Sequence, residues 1–324
     1  ILFCIVYFML LIYTLSKSNH LYIAEPIIIM NTTTTASKTI DDAIEEDAEE
    51  KETIIATPLA AEEVIEYSSK EYDDRLKILY DPKFTLEDRI KIFLGSDIEN
   101  IGFVYYNLDS NENIKINSDT IFNAASVYKV GLNMYTYYLV NNELASLDDI
   151  VYYSESDFED GSGILQDEGY IGGRTVQELL DLSIMYSDNI ASNMLWRYAG
   201  GYYNFKYGLY ALIGLQCDVK ENVLTPEMDF RILKYIYDNK DNPNFAHVIS
   251  TMENTIFHDR IDKYLPKEIV AHKIGDYDAC SHDASIVFAD SPYILIIFTD
   301  CVEGSYEKMA QVSKAIYEYN TIKN

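Results

Sequence analysis

The chain has 324 residues, a hydrophobic fraction of 48% and a formal net charge of −28. This length suits one large or two medium domains with a sizeable core. The negative charge argues against a nucleic-acid-binding protein, because contacts to phosphate require clustered Lys and Arg.

Residues 1–16 are almost entirely apolar and aromatic, beginning ILFCIVYFMLLIYTL. They predict a signal peptide or signal anchor, and a buried core helix is the alternative. The segment is short for a membrane-spanning helix, which needs about 20 apolar residues. No A-x-A cleavage site is evident, which favours an anchor. We therefore expect an extracytoplasmic protein that is either membrane-anchored or secreted.

Residues 17–70 are rich in Thr and then in acidic side chains. Between Asp41 and Asp74 there are 14 Asp or Glu residues against two Lys. Without a sustained apolar face, this composition is typical of a solvated, disordered linker. The folded domain is then predicted to cover residues 71–324.

The folded region opens with two helical segments, DDRLKILYD and LEDRIKIFLG. The next segments, IGFVYYNL, DSNEN and IKIN, predict a strand, a turn and a second strand that form a β-hairpin. Beyond the hairpin, a helix is predicted to begin near Ser126, because apolar side chains recur at helical spacing. These are Val127, Val130, Met134 and Tyr137.

The middle of the chain is predicted to be mainly helical. TVQE at residues 175–178 is a capping-box pattern that opens one helix, and Thr225 followed by Pro226 opens another. Three strands, EIVAHKIG, HDASIVFAD and YILIIFTD, and a helix over about residues 305–318 complete the chain. The predicted fold class is α+β, an antiparallel sheet flanked by helices with an inserted helical subdomain.

Ser126 and Lys129 form an S-x-x-K motif at the predicted start of a helix. A Ser hydroxyl is a poor nucleophile until a base removes its proton. A Lys one turn away can do this when burial or nearby positive charge lowers its pKa. The motif is weak evidence by itself, since Ser305 and Lys308 repeat it in the last helix.

Two further motifs follow in order along the chain. Ser187, Asp188 and Asn189 form its only S-D-N, and Lys273 with Gly275 forms a K-x-G at the end of a predicted strand. K-x-G carries no information alone, because it occurs at two other places. A plain helix cap is the alternative interpretation of S-D-N, since all three residue types cap helices well.

The ordered trio resembles the signature of class A β-lactamases and penicillin-binding proteins. The resemblance extends to TVQELLDLSIMYSDNIASNML, to LTPEMDFRIL, and to Asn193, where the family keeps a buried Asn. It covers about residues 75–320. It implies a serine hydrolase with the β-lactamase/transpeptidase-like fold and with neither a metal nor an organic cofactor.

The resemblance also implies a role for each residue of the first two motifs. Ser126 would be the acylated nucleophile and Lys129 its base. Ser187 would pass a proton to the leaving nitrogen. Asn189 would bind the amide carbonyl of the substrate and help to position Lys129.

The third motif would complete the site. Lys273 would supply positive charge near Ser187 and near the substrate carboxylate. Gly275 would let its strand approach the ligand closely. The backbone N–H groups of Ser126 and Asp276 would form the oxyanion hole.

Two departures from the family pattern bear on function. Ile274 stands where a hydroxyl residue is usual, so one hydrogen-bond donor for a substrate carboxylate is missing. The segment between Ser187 and Pro226 is too short for the family's full Ω-loop, which carries the Glu that activates the hydrolytic water. Glu221, in ENVLT, is a tentative deacylating residue, and an ordinary linker Glu is the alternative.

The sequence thus predicts a serine hydrolase that forms an acyl-enzyme with a β-lactam or a D-Ala-D-Ala-like peptide, with slow deacylation if no Ω-loop Glu acts. The alternative is a non-hydrolytic penicillin-receptor or cell-wall-binding domain. The expected partners are such a ligand and, through residues 1–16, a membrane. No zinc site is predicted, because the four Cys and five His show no ligand spacing.

Overall fold

The computed structural model describes residues 69–215 and 220–322. The predicted signal segment lies outside these ranges, as does the predicted linker up to residue 68. None of the described helices combines the length and the apolar character that a membrane crossing requires.

The first half of the described chain confirms the two predicted helices and the hairpin. Its elements are α1 (Ser69–Leu79), α2 (Leu86–Leu94), β1 (Ile101–Asn107), β2 (Asn113–Ile116), β3 (Phe122–Asn123), α3 (Tyr128–Asn141), β4 (Ile150–Tyr152) and β5 (Gly173–Thr175).

The second half confirms the helical middle and the three C-terminal strands. Its elements are α4 (Val176–Met185), α5 (Asn189–Tyr198), α6 (Tyr202–Ile213), β6 (Val223–Leu224), α7 (Pro226–Asp238), α8 (Pro243–Glu253), β7 (Val270–Tyr277), β8 (Cys280–Val287), β9 (Tyr293–Asp300) and α9 (Ser305–Ile322). The K-x-G motif lies within β7 rather than at its end, because pairing with β8 continues to Tyr277 opposite Cys280.

Five strands form one antiparallel sheet in the order β2–β1–β9–β8–β7. Successive side chains of β1 point to opposite faces, as a pleated strand requires. Val104 belongs to one hydrophobic core, whereas its neighbours Phe103 and Tyr105 belong to the other. Apolar residues therefore occupy both faces, and each face is covered by helices, which confirms the predicted α+β class.

The two cores contain different helices. One core packs α1, α2 and α9 against the sheet face that carries Phe103 and Leu295. The other packs α3 to α8 against the face that carries Val104 and Ile296. The second core is the larger, and it includes the predicted helical subdomain.

Helix α3 lies within this second core. The apolar residues that predicted the helix, including Val130 and Met134, are fully buried. Every residue from Tyr128 to Met134 is buried. A short 3₁₀ turn, Ala125–Val127, precedes the helix. Packing on all sides thus fixes the direction of α3 and the position of Ser126 just ahead of it.

The predicted capping box is present at the start of α4. The Thr175 hydroxyl accepts a hydrogen bond from the backbone N–H of Glu178, and the Glu178 carboxylate accepts one from the backbone N–H of Thr175 at 2.8 Å. Two N–H groups that the helix itself cannot satisfy are thereby paired.

We expect Thr175→Ala to lower the free energy of unfolding by about 1 kcal/mol, because it removes this acceptor from the first turn of α4. Urea denaturation monitored by circular dichroism would measure the loss. Thr175→Ser keeps the hydroxyl and should unfold like the parent chain. An equal loss in both variants would show that the cap does not stabilise the helix.

Candidate active site

A cleft of about 680 Å³ opens beside β7, the edge strand of the sheet. Its lining includes Ser126, Ser187, Asn189 and Gly275. One residue or more from each of the three motifs therefore meets in a single cavity, although the motifs are far apart in the chain. Ser126 is partly exposed to this cleft, as a nucleophile must be to reach a substrate.

Lys129 lies buried beneath the cleft floor. Its Nζ donates to the carbonyl oxygen of Ser187 and to Oδ1 of Asn189, each at 2.6 Å. Burial lowers the pKa of the Lys129 amine to about 7, although the negative charges of Glu159 and Asp188 oppose this shift. The amine is therefore near half-deprotonated at neutral pH, which suits a general base.

Ser187 lies between two lysines. Its Oγ accepts from Nζ of Lys273 at 2.9 Å and lies 3.4 Å from Nζ of Lys129. Its φ of 53° is in the left-handed region, which a non-glycine residue adopts only when its surroundings impose it. The two amines and this backbone conformation together orient the Ser187 hydroxyl toward the cleft.

Asp188 holds the S-D-N turn in place. One of its carboxylate oxygens accepts from the backbone N–H groups of Ile164 and Leu165 at 2.7 and 2.8 Å. The other accepts from the N–H of Ala191 and caps helix α5. The capping interpretation is thus correct for Asp188, while the residues on either side of it face the cleft.

Asn189 connects the turn to the far wall of the cleft. Its Oδ1 accepts from Lys129, and its Nδ2 donates to the carbonyl oxygen of Asp160 at 2.8 Å. A substrate carbonyl would have to replace Asp160 as the acceptor of Nδ2. The contact between Asn189 and Lys129 is observed, and the predicted roles of Asn189 in positioning Lys129 and in binding the substrate stay predictions.

Lys273 is also fully buried, on β7. Besides the contact with Ser187, its Nζ donates to the carbonyl oxygen of Ile274 at 2.7 Å. Burial lowers the pKa of this amine well below its ordinary value, and the charges of Lys129 and Arg260 lower it further. The positive charge predicted for Lys273 is therefore costly in the free protein, and an anionic ligand would favour it.

Gly275 faces the backbone at the start of α3. A Cβ at this position would lie 2.9 Å from the backbone nitrogen of Ser126 and 3.1 Å from that of Val127. Only glycine leaves these N–H groups accessible without displacement. The predicted close approach of this strand to a ligand stays a prediction.

Asp276 follows at the cleft wall, with an exposed side chain. Its carboxylate forms an ion pair with Arg260 and accepts from the hydroxyl of Tyr306 at 2.9 Å. Arg260 is buried and also donates to the carbonyl oxygen of His282. These contacts anchor the end of β7 next to the predicted oxyanion hole.

Glu221 lines the cleft with an exposed side chain. The following residue, Asn222, binds the nucleophile segment directly. Its carbonyl oxygen accepts from the N–H of Ala124 at 2.8 Å, and its Nδ2 donates to the carbonyl oxygen of Ala125 at 3.0 Å. Within the described ranges the Glu221 carboxylate makes no hydrogen bond, so its deacylating role remains a prediction.

Glu159 is a cleft residue that the sequence did not reveal. It lies in an irregular loop, its carboxylate accepts from Nδ2 of Asn193 at 2.9 Å, and its charge raises the pKa of Lys129. The only sequence signal for this contact was Asn193, the partner of Glu159. The resemblance predicts a buried Asn at this position, but Asn193 is only partly buried. No local pattern could show that this loop folds over the S-D-N turn.

The second S-x-x-K lies elsewhere. Nζ of Lys308 donates to Asp97 at 2.7 Å and to the carbonyl oxygen of Glu303 at 2.6 Å. Neither Ser305 nor Lys308 lines the cleft. Their matching spacing is therefore unrelated to the site.

Three solved structures show the same fold with low sequence identity. PBP-A is 19% identical over 78% of this chain and 97% of its own, with a TM-score of 0.63. A β-lactamase from Chitinophaga pinensis is 19% identical over 72% and 98% of the two chains, with a TM-score of 0.66. A β-lactamase from Sphaerobacter thermophilus is 20% identical over 68% and 91%, with a TM-score of 0.61.

A sequence-family comparison identifies the chain more directly. No curated protein sequence matches it. The model of the β-lactamase enzyme family (Beta-lactamase2) matches residues 85–320, which is most of the chain. On this evidence, together with the shared fold, the chain belongs to the β-lactamase enzyme family.

Proposed function

We propose that this protein is a serine hydrolase that forms an acyl-enzyme at Ser126 with a β-lactam or a D-Ala-D-Ala-like peptide. The observation that carries the proposal is the buried Lys129 amine with a pKa of about 7, one helical turn from a serine exposed to the cleft. The structural neighbour PBP-A supports the choice of ligand, since one of its mutants was solved as an acyl-enzyme complex with penicillin G.

In the acylation step, neutral Lys129 would accept the proton of Ser126 while Oγ bonds to the carbonyl carbon of the substrate. The resulting oxyanion would be stabilised by the N–H groups of Ser126 and Asp276. Ser187 would donate a proton to the amide nitrogen as the C–N bond breaks. Lys273 could then reprotonate Ser187 across the 2.9 Å contact.

Deacylation is proposed to be slow. It requires a carboxylate that holds and deprotonates a water molecule beside the ester. Two glutamates line the cleft, but in the described part of the chain neither Glu159 nor Glu221 hydrogen-bonds to Ser126 or Lys129. Fixed positioning is what makes such a base effective, and both side chains are exposed.

A penicillin-receptor or cell-wall-binding role is the second candidate. Ile274 favours it, because this residue lines the cleft and provides no hydroxyl for a substrate carboxylate. Either role would be exerted outside the cytoplasm, where residues 1–16 are predicted to direct the protein, and this location is part of the proposal.

We expect incubation with a labelled penicillin to give one covalent adduct per chain at Ser126, detected by intact mass and peptide mapping. Ser126→Ala should give none, because the attacking oxygen is gone. Ser305→Ala is the matched control, since it removes the serine of the second S-x-x-K, and it should label like the parent chain.

No adduct on the parent chain at millimolar penicillin would contradict acylation by β-lactams. With an adduct formed, its lifetime distinguishes the two activities. Persistence for hours would agree with slow deacylation, and loss within seconds would identify an efficient β-lactamase.

The acylation rate should depend on pH through Lys129. Because burial lowers the pKa of its amine from 10.5 to about 7, the base form dominates above pH 7. Below about pH 6 the rate constant should fall about tenfold per pH unit. Stopped-flow measurement of labelling between pH 5 and pH 9 would give the profile.

Glu159→Gln should move this profile to lower pH, because the carboxylate charge of Glu159 stabilises the Lys129 ammonium. Glu155→Gln removes an exposed carboxylate nearby in the chain that does not influence Lys129, and it should leave the profile in place. A profile that is identical in all three proteins would show that Lys129 is not the titrating base.

Ile274→Thr should speed acylation by penicillin about tenfold, because the added hydroxyl would donate to the substrate carboxylate and is expected to contribute about 1.4 kcal/mol. Ile274→Val, which shortens the side chain without adding a donor, is the control. Equal rates for both variants would show that the substrate carboxylate does not reach this position.

A further inference from the structure

Three potential metal ligands converge outside the cleft. His258 and Asp262 lie in the connection between α8 and β7, and His272 lies on β7. Nδ1 of His258 is 2.5 Å from Oδ2 of Asp262, and Nε2 of His272 is 3.6 Å from the same oxygen. One donor atom from each residue falls within 4.8 Å of the others.

The hydrogen bonds of this cluster leave two buried atoms without partners. Nδ1 of His272 faces the carboxylate of Asp283 at 3.0 Å and must carry a proton, because a carboxylate only accepts. Nε2 of His272 and Oδ1 of Asp262 then have no hydrogen-bond partner. A separation of 3.6 Å is too long for a hydrogen bond between the two residues.

Both residues are almost completely buried, with side-chain exposures of 1%. An unpaired polar atom in such a place is destabilising, and one oxygen of the Asp262 carboxylate is unpaired although the other contacts His258. A cation bound by Nε2 of His272 and by the Asp262 carboxylate would give the imidazole nitrogen its missing partner and offset the charge of the carboxylate.

We propose that His258, Asp262 and His272 bind one divalent transition-metal ion of the zinc type. Two imidazoles and a carboxylate match the ligand preference of zinc, whereas magnesium and calcium prefer oxygen ligands alone. Tetrahedral zinc bonds place ligand atoms about 3.4 Å apart. The present separations of 2.5 and 3.6 Å lie on either side of this value, so side-chain adjustments of about 1 Å suffice.

Zinc-binding histidines usually donate their second ring N–H to a carboxylate or carbonyl oxygen, and Asp283 is that acceptor for His272. Its carboxylate accepts from His272 and from the backbone N–H of Ile261. This contact fixes the ring so that Nε2 points at the cluster, an arrangement that strengthens metal ligation. His258 binds as the neutral imidazole through Nδ1, with its proton on Nε2. Its 30% exposed side chain leaves an entry path and room for a water as the fourth ligand.

The site is structural rather than catalytic. His258, Asp262 and His272 are absent from the lining of the cleft, although Phe257 and Ile274 belong to it. Because neighbours along a strand point to opposite faces, His272 and Lys273 project in opposite directions from β7. Metal binding should thus fix β7 to the preceding connection, and the site is proposed independently of the proposed function.

The test uses the full chain without a histidine tag, stripped of metal by a chelator. Separate samples are titrated with Zn²⁺ and with Co²⁺. We expect one ion per chain, visible absorption typical of tetrahedral Co²⁺, and a melting temperature raised by about 5 °C when free Zn²⁺ is a hundredfold above its Kd.

His258→Gln should abolish these changes, because glutamine can still donate to Asp262 but is a poor zinc ligand. The variant should fold, since His258 is partly exposed, and far-UV circular dichroism would check this. His247→Gln is the matched control, because it alters another His–Asp pair, with Asp181, away from the cluster. It should retain one bound ion.

Stoichiometric binding that is unchanged in a folded His258→Gln protein would overturn the assignment. So would the absence of binding to the parent chain, which would mean that a proton rather than a metal ion joins His272 to Asp262.

Discussion

The burial of the Lys129 amine is the constraint on which the site depends. A neutral amine has two N–H donors and one lone pair, and both donors are used by the carbonyl of Ser187 and the side-chain oxygen of Asn189. The lone pair is therefore left to accept a proton. These two acceptors keep their positions because the Asp188 carboxylate ties the S-D-N turn to a neighbouring loop and to helix α5. The strained backbone at Ser187 persists because this network holds it.

A second constraint is the proximity of two buried lysines that share the Ser187 hydroxyl. Burial disfavours the charged form of both amines, and the charge of Lys129 further disfavours the charged form of Lys273. In the proposed reaction, the negative charge of the ligand would favour protonated Lys273. With Ile274 in place of a hydroxyl residue, we propose that recognition of a substrate carboxylate depends mainly on the Lys273 amine.

The residues proposed for acylation and those that could act in deacylation differ in burial and in how firmly their side chains are held. Lys129, Ser187 and Lys273, which are proposed to take part in acylation, are buried and hydrogen-bonded to one another, whereas Ser126 is partly exposed to the cleft. The carboxylates that could release the acyl group, on Glu159 and Glu221, are exposed and lie on irregular segments.

The sequence by itself determined the secondary-structure elements and the candidate nucleophile. Helical periodicity located α3, side-chain chemistry located the cap at Thr175, and the order of three motifs distinguished Ser126 from Ser305. Periodicity and capping are local, so a linear sequence displays them. Only the tertiary structure decided that Glu159 influences Lys129, that glycine is required against Ser126, and that His272 approaches His258 and Asp262. Those contacts join segments whose separation follows from sheet pairing and loop packing, and no local pattern encodes such distances.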